Sequence, residues 1–267
     1  MLVRKATADI SGFIICKDEV STIRRCVESL AFCREIVVVD SGSTDGTLDV
    51  LRAMIAEGLP IHLIEHEWQG YATQKQFALE ATKCLWCLSL DADEYLDDEL
   101  RNEILSLPLG TTETTGFWMR RRDHLPGYGY PPKIVHARYL LRLVRKDKAR
   151  FDTTQLVHES LSADGVTERL KTGVIMHYRN MSVAAESAVL NKYSTLKARD
   201  KHSRGMTTGP FRLIFLCIGE FVKTCFGQRY IVCGKPGIIH ALLRAEYVLL
   251  TEAKLERLSR GNEVPPE

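Results

Sequence analysis

The sequence predicts an α/β domain with a mostly parallel sheet wrapped by helices, followed by a helical extension. Three observations predict this class. Apolar, β-branched runs alternate with stretches in which apolar residues recur at three and four positions. The runs are apolar on both faces, as strands covered by helices on both sides are. Several of them also end in an acid.

Residues 10–16 (Ile-Ser-Gly-Phe-Ile-Ile-Cys) form the first run, which stops at Lys17-Asp18-Glu19; Val20, Ile23, Val27 and Leu30 then mark a helix. Residues 35–40 (Glu-Ile-Val-Val-Val-Asp) read as a second strand with a terminal acid. The turn 41–47 (Ser-Gly-Ser-Thr-Asp-Gly-Thr) supplies capping residues, and Leu48, Leu51, Met54 and Ile55 give the next helix. Residues 60–65 are a third strand and 73–81 a helix, after which the apolar stretch 84–87 leads a fourth strand into Leu88-Ser-Leu-Asp-Ala-Asp-Glu94. Ligands of such sheets bind beyond the carboxyl ends of the strands, so Asp18, Asp40, Asp91 and Asp93 are expected to converge on one crevice. In an extended chain, alternation would place Asp91 and Asp93 on one side with Ala92 facing away. Two hard carboxylates with open positions beside them suit Mg2+ or Mn2+ carrying substrate phosphates.

Composition bounds the alternatives. The 267 residues suffice for one large α/β domain with appendages or for two small domains. A net charge of +2 lacks the basic excess of a nucleic-acid binder. Several of the eight cysteines lie inside apolar strand or helix patterns, which fits reduced thiols in a cytosolic protein. Cys84-x-x-Cys87 has no second Cys or His pair at zinc spacing and is read as core. Residues 1–10 carry Arg4, Lys5 and Asp9 and no apolar signal-peptide core. No stretch reaches the roughly 18 uninterrupted apolar residues of a membrane span, which leaves a soluble or surface-bound protein as the expectation.

Residues 36–47 (Ile-Val-Val-Val-Asp-Ser-Gly-Ser-Thr-Asp-Gly-Thr), then Trp68-x-Gly70-Tyr71-x-x-Gln74-Lys75, then Leu90-Asp91-Ala92-Asp93-Glu94, resemble the nucleotide-sugar half of a family 2 glycosyltransferase with the Rossmann-like GT-A fold. The resemblance is close over about residues 10–100. It implies that Asp40 meets the uracil or ribose of a UDP-sugar, that Lys75 lies near the nucleotide, and that Asp91 and Asp93 hold the metal on the diphosphate. Asp18 stands where the family usually has Asn and is assigned to the nucleotide site with Asp40. Within the family, Leu-Asp-Ala-Asp-Glu and the segment spacing are most similar to the bacterial lipopolysaccharide-core β-1,4-glucosyltransferases. UDP-glucose is the implied donor and a heptose of the lipopolysaccharide inner core the implied acceptor.

Residues 101–180 are expected to form the acceptor half of a catalytic domain spanning 1–180. Residues 115–122 and 138–145 read as strands around a Gly-, Pro- and Tyr-rich loop, 124–132, which is either an irregular turn or part of the acceptor site. Six arginines there, Arg142 among them, could meet an anionic acceptor or be solvated strand edges. Inverting transfer needs a carboxylate to take the proton of the acceptor hydroxyl. Glu159 matches the family's base position, with His158 beside it to orient it, and His177 matches a histidine placed near the metal or diphosphate. From Ser182 the pattern turns helical, breaks at Gly209-Pro210, and resumes as an apolar, basic stretch. The expected extension covers 181–260, with a disordered tail at 261–267. Its mix of Lys/Arg and apolar residues over 205–250 fits a membrane surface with anionic lipid, packing on the catalytic domain or a homo-oligomer contact. The expected protein is a cytoplasmic, inverting, metal-dependent enzyme, a candidate peripheral protein of the inner face of the bacterial inner membrane. A lipid-linked sugar or protein acceptor, or a non-catalytic nucleotide-sugar binder, are the alternatives; a binder has no need of Glu159.

Overall fold

The computed structural model describes residues 8–152, 161–178 and 182–261. The chain divides into two compact units, one of Met1–Arg122 and Arg138–Tyr178, the other of Asp123–Ala137 and Arg179–Glu267.

The first unit carries the predicted alternation: β1 (Ala8–Cys16), α1 (Ile23–Ser29), β2 (Cys33–Asp40), α2 (Thr47–Ala56), β3 (Ile61–Glu65), α3 (Tyr71–Glu80) and β4 (Trp86–Asp91). In space the strands run β3-β2-β1-β4, all parallel. Alternate residues of each strand enter two cores. Ile10, Ile14, Ile36, Val38, Leu88 and Leu90 pack on one face, while Phe13, Val37, Val39 and Cys87 pack on the other. Each such fully buried aliphatic contributes about 1.5–3 kcal/mol, and a one-residue slip would move every side chain to the wrong core. Register is thereby fixed, and with it the strand ends: Cys16 lies beside Asp40 on one neighbour, and Ile15 beside Asp91 on the other. The one polar side chain in the middle of β1 is satisfied, since Ser11 Oγ donates to Glu35 at 2.6 Å and accepts from the Cys84 amide at 3.0 Å.

β5 (Glu94–Leu96), α4 (Asp98–Leu105), β6 (Thr114–Asp123), β7 (Arg138–Arg145), β8 (Ala149–Phe151), β9 (Leu161–Ala163), β10 (Val166–Arg169) and β11 (Ile175–His177) complete this part of the chain. β7 joins β4 antiparallel and β6 joins β7 antiparallel, while β10 lies parallel on β6. β5 and β11 pair antiparallel, with His177 opposite Glu94. Two anchors hold β11 there. Asp97 caps α4 by accepting from the Leu100 amide at 2.8 Å, and the same oxygen accepts from the Val174 amide at 3.1 Å. Gly173 lies so close to α4 that a Cβ would come within 2.0 Å of the Leu100 nitrogen, so only glycine fits.

The second unit contains α5 (Val183–Ser203), α6 (Pro210–Val222) and α7 (Gly234–Ser259), with a π-turn at Lys223–Gly227 and a 3-10 turn at Tyr230–Cys233. Ser182 caps α5 through the Ala185 amide, and Pro210 opens α6, where its missing N–H costs nothing. Lys254 of α7 donates to the Asn191 carbonyl and side chain at 2.7 Å and to Thr195 at 2.6 Å, which binds α7 to α5. The loop read as a candidate acceptor element belongs with these helices. Leu125 and Val135 pack on Tyr230 and Cys233, and the His136 amide donates to the Gln228 carbonyl at 3.0 Å. Residues 262–267 of the expected tail lie outside the described residues. Among the described residues no helix is long and apolar enough to cross a membrane. All eight cysteines are free, Cys84 and Cys87 are buried as expected of core, and burial pushes the Cys87 thiol up to about 11.

Candidate active site

The site is built where β1, β2 and β4 end. Asp40, the last residue of β2, is fully buried. Its Oδ1 accepts from the amides of Gly42 and Ser43 at 2.9 Å, and its Oδ2 accepts from the Ser43 hydroxyl. Asp40 therefore shapes the 41–47 loop that follows it, as an aspartate at a turn start does. Asp18, just past β1, adopts a left-handed φ of 56°, which Asp tolerates better than most residues. Its Oδ1 accepts from the Thr44 amide at 2.7 Å, while its own amide donates to Ser43 Oγ at 2.9 Å. The amides of Glu19 and Val20 donate to Thr47 Oγ1 and Asp45 Oδ2. The loops after β1 and β2 are thus laced into one wall of the crevice. Gln74 of α3, buried, extends the lacing by donating to Ser41 Oγ at 3.0 Å and to the His66 carbonyl at 3.2 Å.

The second wall is a chain of alternating charges at the end of β4. Lys75 Nζ donates to Asp91 Oδ1 at 2.7 Å, and Arg142 Nη2 reaches Asp91 Oδ2 at 2.9 Å and the Glu94 carboxylate at 2.8 Å. Arg121 meets Glu94 from the other side at 3.2 Å, and the Asp91 amide donates to Glu94 Oε2 at 3.1 Å. Glu94 is fully buried and Arg142 nearly so. Burial alone would raise the Asp91 carboxyl, but the Arg142 guanidinium and the Lys75 ammonium outweigh it and hold it well below the usual carboxylate range. Burial also pushes the Glu94 carboxyl up; Arg142 offsets part of this, while the Asp91 charge adds to it. One buried guanidinium serves two carboxylates.

The expected alternation of Asp91 and Asp93 does not hold. β4 stops at Asp91 and the chain turns at Ala92-Asp93 before β5 begins, so the two carboxylates take different partners. Asp91 faces Lys75 and Arg142, whereas Asp93 Oδ2 lies 3.0 Å from His177 Nε2. The Tyr178 amide, donating to the Asp93 carbonyl at 2.9 Å, holds that pair in place. An imidazole nitrogen and a carboxylate oxygen are suitable donors for Mn2+ or Mg2+. Among the described residues no third His, Cys, Asp or Glu joins them. Such an incomplete set fits a cation that keeps positions for waters and substrate phosphates, as Mg2+ sites do. Asp93 and His177 would hold such a cation, and Asp91 is turned to Lys75 and Arg142.

His158 and Glu159 lie outside the described residues. The others come together: Asp18 and Asp40 in one wall, Lys75 and Asp91 in the second, Asp93 and His177 beside it. Sequence reasoning assigned Arg142 to an acceptor surface or a solvated edge, but it is buried between Asp91 and Glu94. Its position in Leu140-Leu141-Arg142-Leu143-Val144 was a usable signal, because an arginine inside an apolar strand run needs a buried carboxylate.

A sheet with these strand-end acids is the GT-A architecture. A mannosyltransferase from Pyrobaculum calidifontis, solved with GDP-mannose and Mn2+, superimposes with a TM-score of 0.55 at 15% identity, over 94% of this chain and 88% of that one. Residues 1–349 of Staphylococcus aureus TarS, solved with UDP, give a TM-score of 0.50 at 14% identity, over 95% and 92%. These likenesses concern the fold. At the level of sequence, the description "Glycosyl transferase family 2" matches residues 11–162, and the chain belongs to that family. It is 42% identical over 246 residues, 92% of this chain and 91% of the relative, to the lipopolysaccharide core biosynthesis glycosyltransferase LpsC of Rhizobium meliloti. It is also 32% identical to an uncharacterized glycosyltransferase of Rickettsia bellii, over 95% of this chain and 88% of the relative. The protein is thus a family 2 glycosyltransferase.

Proposed function

We propose that this enzyme transfers a hexose, glucose from UDP-glucose, to a sugar of the lipopolysaccharide inner core, with inversion and with Mg2+ or Mn2+ in the donor site. The observation that carries the reading is that Asp40 and Asp91 end the two strands flanking β1, with the Asp93–His177 pair in the turn directly after Asp91. The similarity to LpsC over nearly the whole chain supports a lipopolysaccharide-core acceptor.

The laced loops after β1 and β2 form the nucleotide side of the crevice, with Asp18 and Asp40 setting their shape. Asp93 and His177 would hold the cation, which supplies charge neutralisation on the leaving diphosphate. Lys75 and Arg142 fix Asp91 and set the charge beside that position before donor arrives, so little reorganisation remains for the reaction. Glu159 takes the proton from the attacking hydroxyl, and His158 orients it. The acceptor is a glycolipid, so the enzyme works at the inner face of the inner membrane.

Glu159→Gln separates binding from chemistry. The variant should retain the UDP-glucose-induced rise in melting temperature and lose at least about 100-fold in transfer rate, the scale of a general base. Transfer at the wild-type rate would remove Glu159 from the role.

A further inference from the structure

α6 presents a continuous apolar face outward. Phe211, Phe215, Ile218 and Val222 recur at helical spacing, Phe226 continues the line through the π-turn, and all five are exposed. Phe211 and Phe215 are 77% and 72% exposed. No residue of α6 is fully buried, although the helix packs on α7 through its opposite side. Single exposed apolar residues need no explanation, but a row of five along one helix face does.

Charge on the same segment selects the occupant. Between Pro210 and Arg229 the cations are Arg212, Lys223 and Arg229, all exposed, and the sole carboxylate is Glu220. Glu220 is turned inward and paired with Lys223 at 2.5 Å and Arg244 at 3.3 Å. A second copy seated on this face would gather Arg212 and Arg229 of both chains at one contact, while the one carboxylate of the segment is already taken by Lys223 and Arg244. An anionic lipid surface supplies both missing partners, acyl chains for the phenylalanines and phosphate for the cations. At 13 residues α6 is too short to span the bilayer and is suited to lying in its plane.

We infer that the outward face of α6 is a membrane-docking surface that inserts Phe211, Phe215, Ile218, Val222 and Phe226 into the interface of an anionic leaflet. Its use in catalysis rests on the reading of the acceptor as a membrane-borne glycolipid; the docking itself does not.

The test is cosedimentation of the full chain with phosphatidylcholine vesicles with and without phosphatidylglycerol, without donor or acceptor. The probe variant is the double substitution Phe211→Asp and Phe215→Asp. Wild type should partition onto phosphatidylglycerol vesicles and release with added salt, and the variant should lose at least about tenfold in partitioning. Both side chains are mostly in solvent, so the variant should melt at the wild-type temperature and keep the donor-induced shift measured without vesicles. Wild type that stays in solution with phosphatidylglycerol vesicles overturns the inference, as does a variant that partitions like wild type. A wild-type dimer in ultracentrifugation, dissolved by the same substitutions with no vesicle binding, would instead make the face a contact between copies and overturn it too. A donor shift absent from both proteins, with vesicle binding lost only in the variant, would sink the proposed function and leave the docking surface standing.

Discussion

The strand-end crevice buries charge, and α6 exposes apolar surface; each reverses the usual distribution, and each does so in a different way. In the crevice the cost of burying Glu94 and Arg142 is met by their pairing with each other and with half-buried Asp91 at 2.8–2.9 Å, which fixes polar groups where charge must be neutralised. On α6 nothing among the described residues covers the exposed row, and the proposed partner is a lipid surface. A buried ionic network is therefore a sign of internal pre-organisation, whereas an apolar face with flanking cations is a sign of a second solvent.

Three substitutions sharpen that contrast, in order of expected effect on stability. Arg142→Ala leaves Asp91 with Lys75 alone and Glu94 buried with Arg121 alone, and should destabilise the fold by about 3–5 kcal/mol in chemical denaturation. A loss below about 1 kcal/mol would mean that the network contributes little as a unit. Asp91→Asn should cost less, and its cost should depend on pH. The folded-state carboxyl of Asp91 is depressed, so its stabilisation is present above the unfolded value of 3.8 and is lost as pH falls through the folded value. The stability gap between wild type and Asp91→Asn should accordingly be widest near neutrality and narrow below about pH 5; a gap unchanged into the acid range would show that Lys75 and Arg142 do not hold the carboxyl low. Phe215→Ser, on the exposed row, should change stability by no more than about 0.5 kcal/mol, because its side chain already faces solvent. A larger loss would mean that α6 is covered in the isolated protein.

Much of this was legible in the sequence because the responsible forces are local. The runs 10–16 and 35–40 are short, apolar and β-branched, as strands covered on both sides are, 60–65 follows the same length and spacing, and β1, β2 and β3 form there. The turn 41–47 leads into α2 as expected, although its N-cap is Gly46 without a side-chain cap, and Ser182 caps the start of α5. What was not legible depends on distant partners. The apolar run around Arg142 points to a buried carboxylate partner, but its partners, Asp91 and Glu94, lie about fifty positions away and cannot be read from that run. The alternation placing Asp91 and Asp93 together assumed an extended backbone that the turn at Ala92-Asp93 replaces. The loop 124–132 gave no sign that its packing partners, Tyr230 and Cys233, lie a hundred residues later.

In the proposed function the donor site centres on Asp93 and His177. The direct measurement is the melting temperature of wild type and Asp93→Ala with UDP-glucose and Mn2+, with chelator as control. A ligand that prefers the folded state stabilises it by about 2.7 kcal/mol at a hundred times its dissociation constant, so the shift is readable. Wild type should shift with UDP-glucose only when Mn2+ is present, and Asp93→Ala should fold normally yet show no such shift. A shift that persists undiminished in Asp93→Ala and in chelator, or no shift with any UDP-, GDP- or dTDP-sugar, would contradict the assignment.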